Sequence, residues 1–223
     1  TRLKPVIGKD TPKVMYRIKN KPLLHHLVEA LNKRGIKEIV FVVSHKKEQI
    51  MEYFGDGKKF GIHVDYAYQK NPKGGTADAV KSAKDKIKED KFLLIYGDNI
   101  FNPEAIDEIL NNHHNFDGIL GVKFMQDVSK LGVIVYSGNR VTRIEEKAEK
   151  PISNLALTGL FVLPNSIFDA IENTKLSPRG EYELTDSIQL LIDRGFKIGF
   201  VNIENFLIDP RKKEELELAQ HSI

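Results

Sequence analysis

Asp98 follows an apolar run, Phe92-Leu93-Leu94-Ile95-Tyr96, and is set in Gly97-Asp98-Asn99. An acid just beyond the carboxyl end of a strand can hold Mg²⁺ against the phosphates of a substrate. The same three residues also read as an ordinary turn. Asp209, after the short apolar run 206–208, offers a second carboxylate, although Asp before Pro210 equally reads as a helix N-cap. Arg2 and Lys13 place cations in or beside loops, where a triphosphate would be clamped; solvated surface charges look alike. Gly74-Gly75-Thr76 stands at the start of a helical segment, and glycines there let a ligand approach free backbone N–H groups. Gln69, five residues before Gly74, carries a donor and an acceptor that suit the edge of a base, or a surface. Glu145-Glu146-Lys147 sets acid and base at a strand end, suited to a sugar hydroxyl and a phosphate, or to solvent. The pairs His25-His26 and His113-His114 lack the i, i+4 spacing of helical metal sites.

These residues need elements to position them. Leu23, Leu24, Leu27 and Leu31 predict a helix over 22–33, with Gly35 beyond its end. Glu38-Ile39-Val40-Phe41-Val42-Val43 is a buried parallel strand by pattern, and Ser44 is a candidate cap for the next helix. Strands are expected at 63–68 and 92–96, with a helix at 77–88 between them. The alternation predicts an α/β domain built on a doubly wound, mostly parallel sheet. The second half reads differently. Strands at 118–124 and 157–163 bracket a hairpin of 132–136 and 140–146 around Ser137-Gly138-Asn139. Helices near 166–173 and 184–194, a strand at 197–203 and a short C-terminal helix complete a single domain with a small antiparallel extension.

The totals agree with one such domain. The chain has 223 residues, 41% of them hydrophobic, enough for one large core. Its net charge is +3 with both signs interspersed and no basic block, so nucleic acid is not the expected partner. No apolar run approaches the ~20 residues of a membrane span. There is no cysteine, which excludes disulfides and thiolate chemistry. The expected compartment is cytoplasmic.

Taken in order, these segments resemble one family over essentially the whole chain, the sugar-1-phosphate nucleotidyltransferases. Thr1-Arg2-Leu3 is similar to the tail of the family's Gly-x-Gly-Thr-Arg loop. Pro12-Lys13 with Lys21-Pro22-Leu23 resembles its Pro-Lys signature, and 69–79 (QKNPKGGTADA) its base-binding segment. Residues 96–101 (YGDNIF) and 177–186 (SPRGEYELTD) are most like the glucose-1-phosphate thymidylyltransferases. Glu145-Glu146-Lys147 and 153–159 (SNLALTG) resemble the sugar-binding stretch.

The resemblance implies a Rossmann-like fold, with a nucleotide-binding half to about residue 115 and a sugar-binding half from about 116. It implies that Arg2 and Lys13 bind the triphosphate, and that Gln69 with Gly74 or Gly75, beside Thr76, reads the base. Asp98 and Asp209 would hold Mg²⁺. Lys147 would meet the sugar phosphate, while Asn99, Gly132, Glu146, Asn154 and Thr158 line the sugar pocket. The reaction would move a nucleotidyl group from dTTP or UTP to a hexose-1-phosphate, with glucose-1-phosphate the expected acceptor. Such chemistry needs cations, a metal and backbone donors, and no His or Cys nucleophile. The substrates are then a nucleoside triphosphate and a sugar-1-phosphate, and the resemblance leaves a homo-oligomer open.

Some positions depart from the family. Its first strand and loop glycines are absent, so the natural protein is expected to carry roughly ten more N-terminal residues, and without them the sheet should show an open slot. Pro210 and Ala148 replace usual residues, and Gly74-Gly75 shifts the base loop by one. These departures motivate two alternatives: a catalytically silent subunit that holds a nucleotide-sugar, and a cytidylyltransferase of the same fold.

Overall fold

The structure, a computed structural model, describes residues 11–204 and 206–207. The expected roles of Arg2 and Asp209, and the C-terminal helix, lie outside the described residues.

A 3₁₀ turn at Lys13–Met15 leads into a small hairpin, β1 (Arg17–Ile18) and β2 (Lys21–Pro22). Helix α1 (Leu23–Lys33) buries Leu23, Leu24, Val28, Ala30 and Leu31; of the expected stripe, Leu27 is only partly buried and Val28 takes the inward place. Strands β3 (Glu38–Val43) and β4 (His63–Tyr68) pair in parallel from Glu38 opposite His63 to Val43 opposite Tyr68. The helix between them, α2 (Lys47–Phe54), is not capped by Ser44. Lys46 precedes it in the left-handed region with φ 62°, and no side chain bonds its first turn. Phe41 of β3 meets Phe54 of α2 edge-on at 5.1 Å between ring centroids, which closes this layer.

Helix α3 (Gly75–Lys81) starts before residue 77 and stops short of 88, with a 3₁₀ turn at Lys84–Lys86 after it. Strand β5 (Lys91–Ile95) follows, then β6 (Ile100–Phe101), α4 (Glu104–Asn112) and β7 (Gly118–Phe124). Strands β8 (Gly132–Ser137) and β9 (Arg140–Glu146) form the expected hairpin. Strand β10 (Leu155–Pro164), α5 (Ile167–Glu172), α6 (Leu184–Asp193), β11 (Ile198–Asn202) and β12 (Phe206–Leu207) complete the described order. The sequence reading assigns no helix to α4, although Ala105, Ile106 and Ile109 carry helical spacing and are all buried.

The main sheet has the order β5-β10-β7-β11-β9-β8. Strands β7 and β11 are parallel; β10 runs antiparallel to both β5 and β7. The α/β architecture is as expected, but its sheet is more mixed than the anticipated late extension, because the reversed β10 sits inside it. Strand β10 is buried along nearly its whole length. Full burial of one Leu, Val or Phe stabilises by about 1.5–3 kcal/mol, so β10 anchors the core that holds the site.

Strands β3 and β5 do not pair with each other or with any other described strand between them. A cavity of about 720 Å³ lies there, lined by both strands and by Leu24, Val28 and Leu31 of α1. Its lining is largely apolar, and β5 beside it is half-buried along its length.

Candidate active site

A second cavity, about 410 Å³, opens at the ends of β4 and β5 and brings together residues from both halves of the chain. Gln69, Gly75, Thr76, Asp98 and Asn99 line it together with Gly132, Glu146, Lys147 and Thr158. Lys13 reaches Asp98 from the chain's opening turn, Nζ to Oδ2 at 3.3 Å. The lysine side chain is 18% exposed and the carboxylate 41%, so the pair is anchored on one side and open on the other. A partly exposed pair of this kind contributes at most about 1 kcal/mol to stability.

Local chain geometry explains the placements. After β5, Tyr96 donates its N–H to Gly159 O at 2.9 Å and accepts from Asn99 N at 3.1 Å, which turns Asp98 outward. Asn99 is 5% exposed and its Nδ2 donates to Thr158 O at 2.7 Å. Thr158 in turn donates its hydroxyl to Gly121 O at 2.8 Å. The register of β10 against β7 shifts between Leu157 and Phe161, and Gly159 at that bulge has φ 75°. A Cβ on Gly159 would stand 2.5 Å from the Tyr96 ring, so only glycine fits against it. Tyr96 and Gly159 both line the cavity and were absent from the expected site residues; Gly159 directly after Thr158 in a strand was the available signal.

On the sugar-binding side implied by the resemblance, Gly132 faces Glu146 across the hairpin. Burial raises the Glu146 pKa, the nearby Glu183 carboxylate adds to the shift, and Lys147 opposes it. Lys147 Nζ stands 3.2 Å from Glu146 Oε1. Its φ is 49°, a left-handed conformation that costs a non-glycine residue about 1 kcal/mol. Its N–H to Leu131 O bond, 3.0 Å, fixes that turn. Glu183, 3% exposed, is held by Arg179 at 2.8 Å, and Lys130 also lines the cavity. Neither Glu183 nor Lys130 was named as a site residue, although Glu183 falls within the 177–186 segment that carries the resemblance.

Asn154 is not brought into this cavity. It is exposed, and its Nδ2 donates to Met125 O at 2.8 Å and to Gln126 O at 3.4 Å. Thr76 is at the cavity, but its hydroxyl accepts from Leu184 N at 2.9 Å and so caps α6. Of the two glycines, Gly75 lines the cavity with φ 89°, while Gly74 lies against Asp78.

Mg²⁺ commonly takes one or two protein carboxylates and fills its octahedron with water and phosphate oxygens. Among the described residues no cluster of three His, Asp or Glu side chains is placed to hold a metal. The half-exposed Asp98 lining the cavity fits the sparse protein share of such a site. No described helix is long and apolar enough to cross a membrane.

A family model described as nucleotidyl transferase matches residues 1–205. The low-salt glycan biosynthesis nucleotidyltransferase Agl11 of Haloferax volcanii is 35% identical over 97% of this chain, which spans 61% of that protein. The UTP–glucose-1-phosphate uridylyltransferase AglF of the same organism is 35% identical over 97% of the chain and 90% of its own length. A crystal structure from Bacillus anthracis assigned to glucose-1-phosphate thymidylyltransferase, solved with sucrose, superposes with a TM-score of 0.83 at 27% identity, covering 99% of this chain and 89% of that one. With a matching model over most of its length and its acid, lysine and glycine positions gathered at one strand-end cavity, the chain belongs to the nucleotidyl transferase family.

Proposed function

We propose that the protein transfers a nucleotidyl group from dTTP or UTP to a hexose-1-phosphate, glucose-1-phosphate in the first instance, releasing pyrophosphate. One observation carries the reading: Lys13 pairs with Asp98, which lines one cavity together with Gln69, Gly75, Glu146 and Lys147. That grouping suits two anionic substrates meeting in one charged cavity. The uridylyltransferase AglF and the thymidylyltransferase-like Bacillus structure support the pyrimidine nucleotide and the glucose-1-phosphate acceptor.

The acceptor phosphate is already ionised near neutral pH, so no general base is needed. Its oxygen attacks the α-phosphorus of the nucleotide; the new O–P bond forms as the bond to the β,γ-diphosphate breaks, and pyrophosphate leaves with the electron pair. Lys13 stabilises charge on the triphosphate, with Arg2 as a second cation. Lys147 binds the acceptor phosphate and, with Glu146, Asn99, Gly132 and Thr158, orients the sugar. Gln69 and Gly75 read the base. Mg²⁺, when bound by Asp98 with Asp209, would neutralise phosphate charge. Catalysis then consists of alignment and electrostatic stabilisation.

The test is pyrophosphate release with glucose-1-phosphate and either dTTP or UTP. Lys13→Ala and Asp98→Ala should each lower kcat/KM by roughly 10²-fold or more, the scale of removing one charge-stabilising group. Full activity in either variant refutes its role. Calorimetric binding of a nucleotide-sugar without turnover would favour a silent binding subunit.

A further inference from the structure

Gln69 is the first residue after β4, and its backbone N–H is fixed by Val43 O at 2.9 Å. Its side-chain Nε2 donates to Gly75 O at 3.2 Å and to Asp78 Oδ2 at 3.1 Å. Both partners accept hydrogen bonds. The opposite amide orientation would aim Oε1 at a carbonyl and a carboxylate, oxygen against oxygen, so chemistry forces the orientation. Oε1 is therefore the end left for a ligand in the cavity that Gln69 lines. The clamp has its own support. A Cβ on Gly74 would come within 2.5 Å of Asp78 Oδ2, so Gly74 makes room for this carboxylate, and Gly75 is left facing the cavity.

We propose that Asp78 is a positioning residue for base selection: by locking the Gln69 amide it presents an acceptor to the base and so favours nucleotides whose ring nitrogen carries a proton. Uracil and thymine carry N3–H. Cytosine presents a lone pair at N3 and adenine one at N1, and either would leave Oε1 facing another acceptor. The proposal rests on the nucleotidyl transfer reading and deepens it, since it names a selection rule that membership of the family leaves open. A polar group left unpaired in a site built around it typically costs about 1–3 kcal/mol, or about 5- to 150-fold.

The experiment compares kcat/KM for UTP, dTTP and CTP, with glucose-1-phosphate as acceptor, in the unmodified protein, Asp78→Ala and Asp78→Asn. The unmodified protein should favour UTP or dTTP over CTP by about tenfold or more. In Asp78→Ala the amide loses one of two restraints. The ratio should fall about fivefold or more, through a higher KM for the favoured nucleotide with kcat within about twofold. Asp78→Asn keeps an acceptor, Oδ1, for Gln69 and should restore most of the ratio; a purely structural role would not be sensitive to that distinction. Dissociation constants for the same nucleotides, measured by calorimetry, apply the test independently of turnover. Absence of turnover alone counts against nucleotidyl transfer and leaves the binding ratio to decide the role of Asp78. An unchanged ratio in Asp78→Ala, no binding of any of the three, or an unmodified protein that prefers CTP overturns the proposal.

Discussion

Glu146 is a half-buried acid of the cavity whose surroundings make it sensitive to pH. Burial and the Glu183 carboxylate favour its protonated form, against the pull of Lys147. With a folded pKa above the ordinary 4.5, its contribution to stability is fully present below that value and is lost as pH rises through the folded value. Glu146→Gln is neutral throughout. It should therefore unfold at a higher temperature than the unmodified protein at pH 8, with the gap closing toward pH 4.5; thermal unfolding across that window checks it, and a constant gap would contradict the burial argument. Gly132 lies against the same carboxylate. A Cβ there would stand 2.7 Å from Glu146 Oε2 and 3.0 Å from Leu157 Cδ1. Gly132→Ala should raise KM for the sugar phosphate by about tenfold while leaving KM for the nucleotide within about twofold, since misplacing one positioning group typically costs about 1–2 kcal/mol. Initial-rate kinetics in both substrates would separate the two effects.

Two elements join the halves of the cavity. Thr76, in the first turn of α3, caps α6 through its bond from Leu184 N, a link across 108 residues. Thr76→Val keeps the shape and removes the acceptor, which should destabilise by about 1 kcal/mol, as for other lost caps, in denaturant titration. The bulge of β10 is the other joint. Gly159→Ala forces a Cβ to 2.5 Å from the Tyr96 ring at a φ of 75°, and should cost about 2–4 kcal/mol. At this scale the spans of β3 and β4 were readable and those of several helices were not. Strands β3 and β4 match their expected spans because apolar runs bounded by turns leave little choice. Ser44 failed as a cap because the left-handed Lys46 intervenes, a backbone choice that residue types do not announce. Helix α4 went unread although its apolar spacing was present, and the central, reversed position of β10 depends on pairing partners far away in the chain.

Across the whole molecule, the polar cavity gathers Gln69, Asp98, Gly132, Glu146 and Lys147 from segments spread over nearly 80 residues, with Lys13 reaching in from the opening turn. Asp98 was legible as an acid at the carboxyl end of a strand, whereas Gly132 was named only through the family resemblance. The position of Asn154 was not legible, because its place is set by the carbonyls of a neighbouring loop, Met125 and Gln126, that no motif encodes. The central claim, nucleotidyl transfer to a sugar phosphate, is tested most directly by pyrophosphate release from the full-length protein with Mg²⁺ and glucose-1-phosphate, supplying dTTP, UTP, CTP, ATP and GTP in parallel. The account predicts release with dTTP or UTP well above the others. A folded protein that releases no pyrophosphate with any of the five would contradict it.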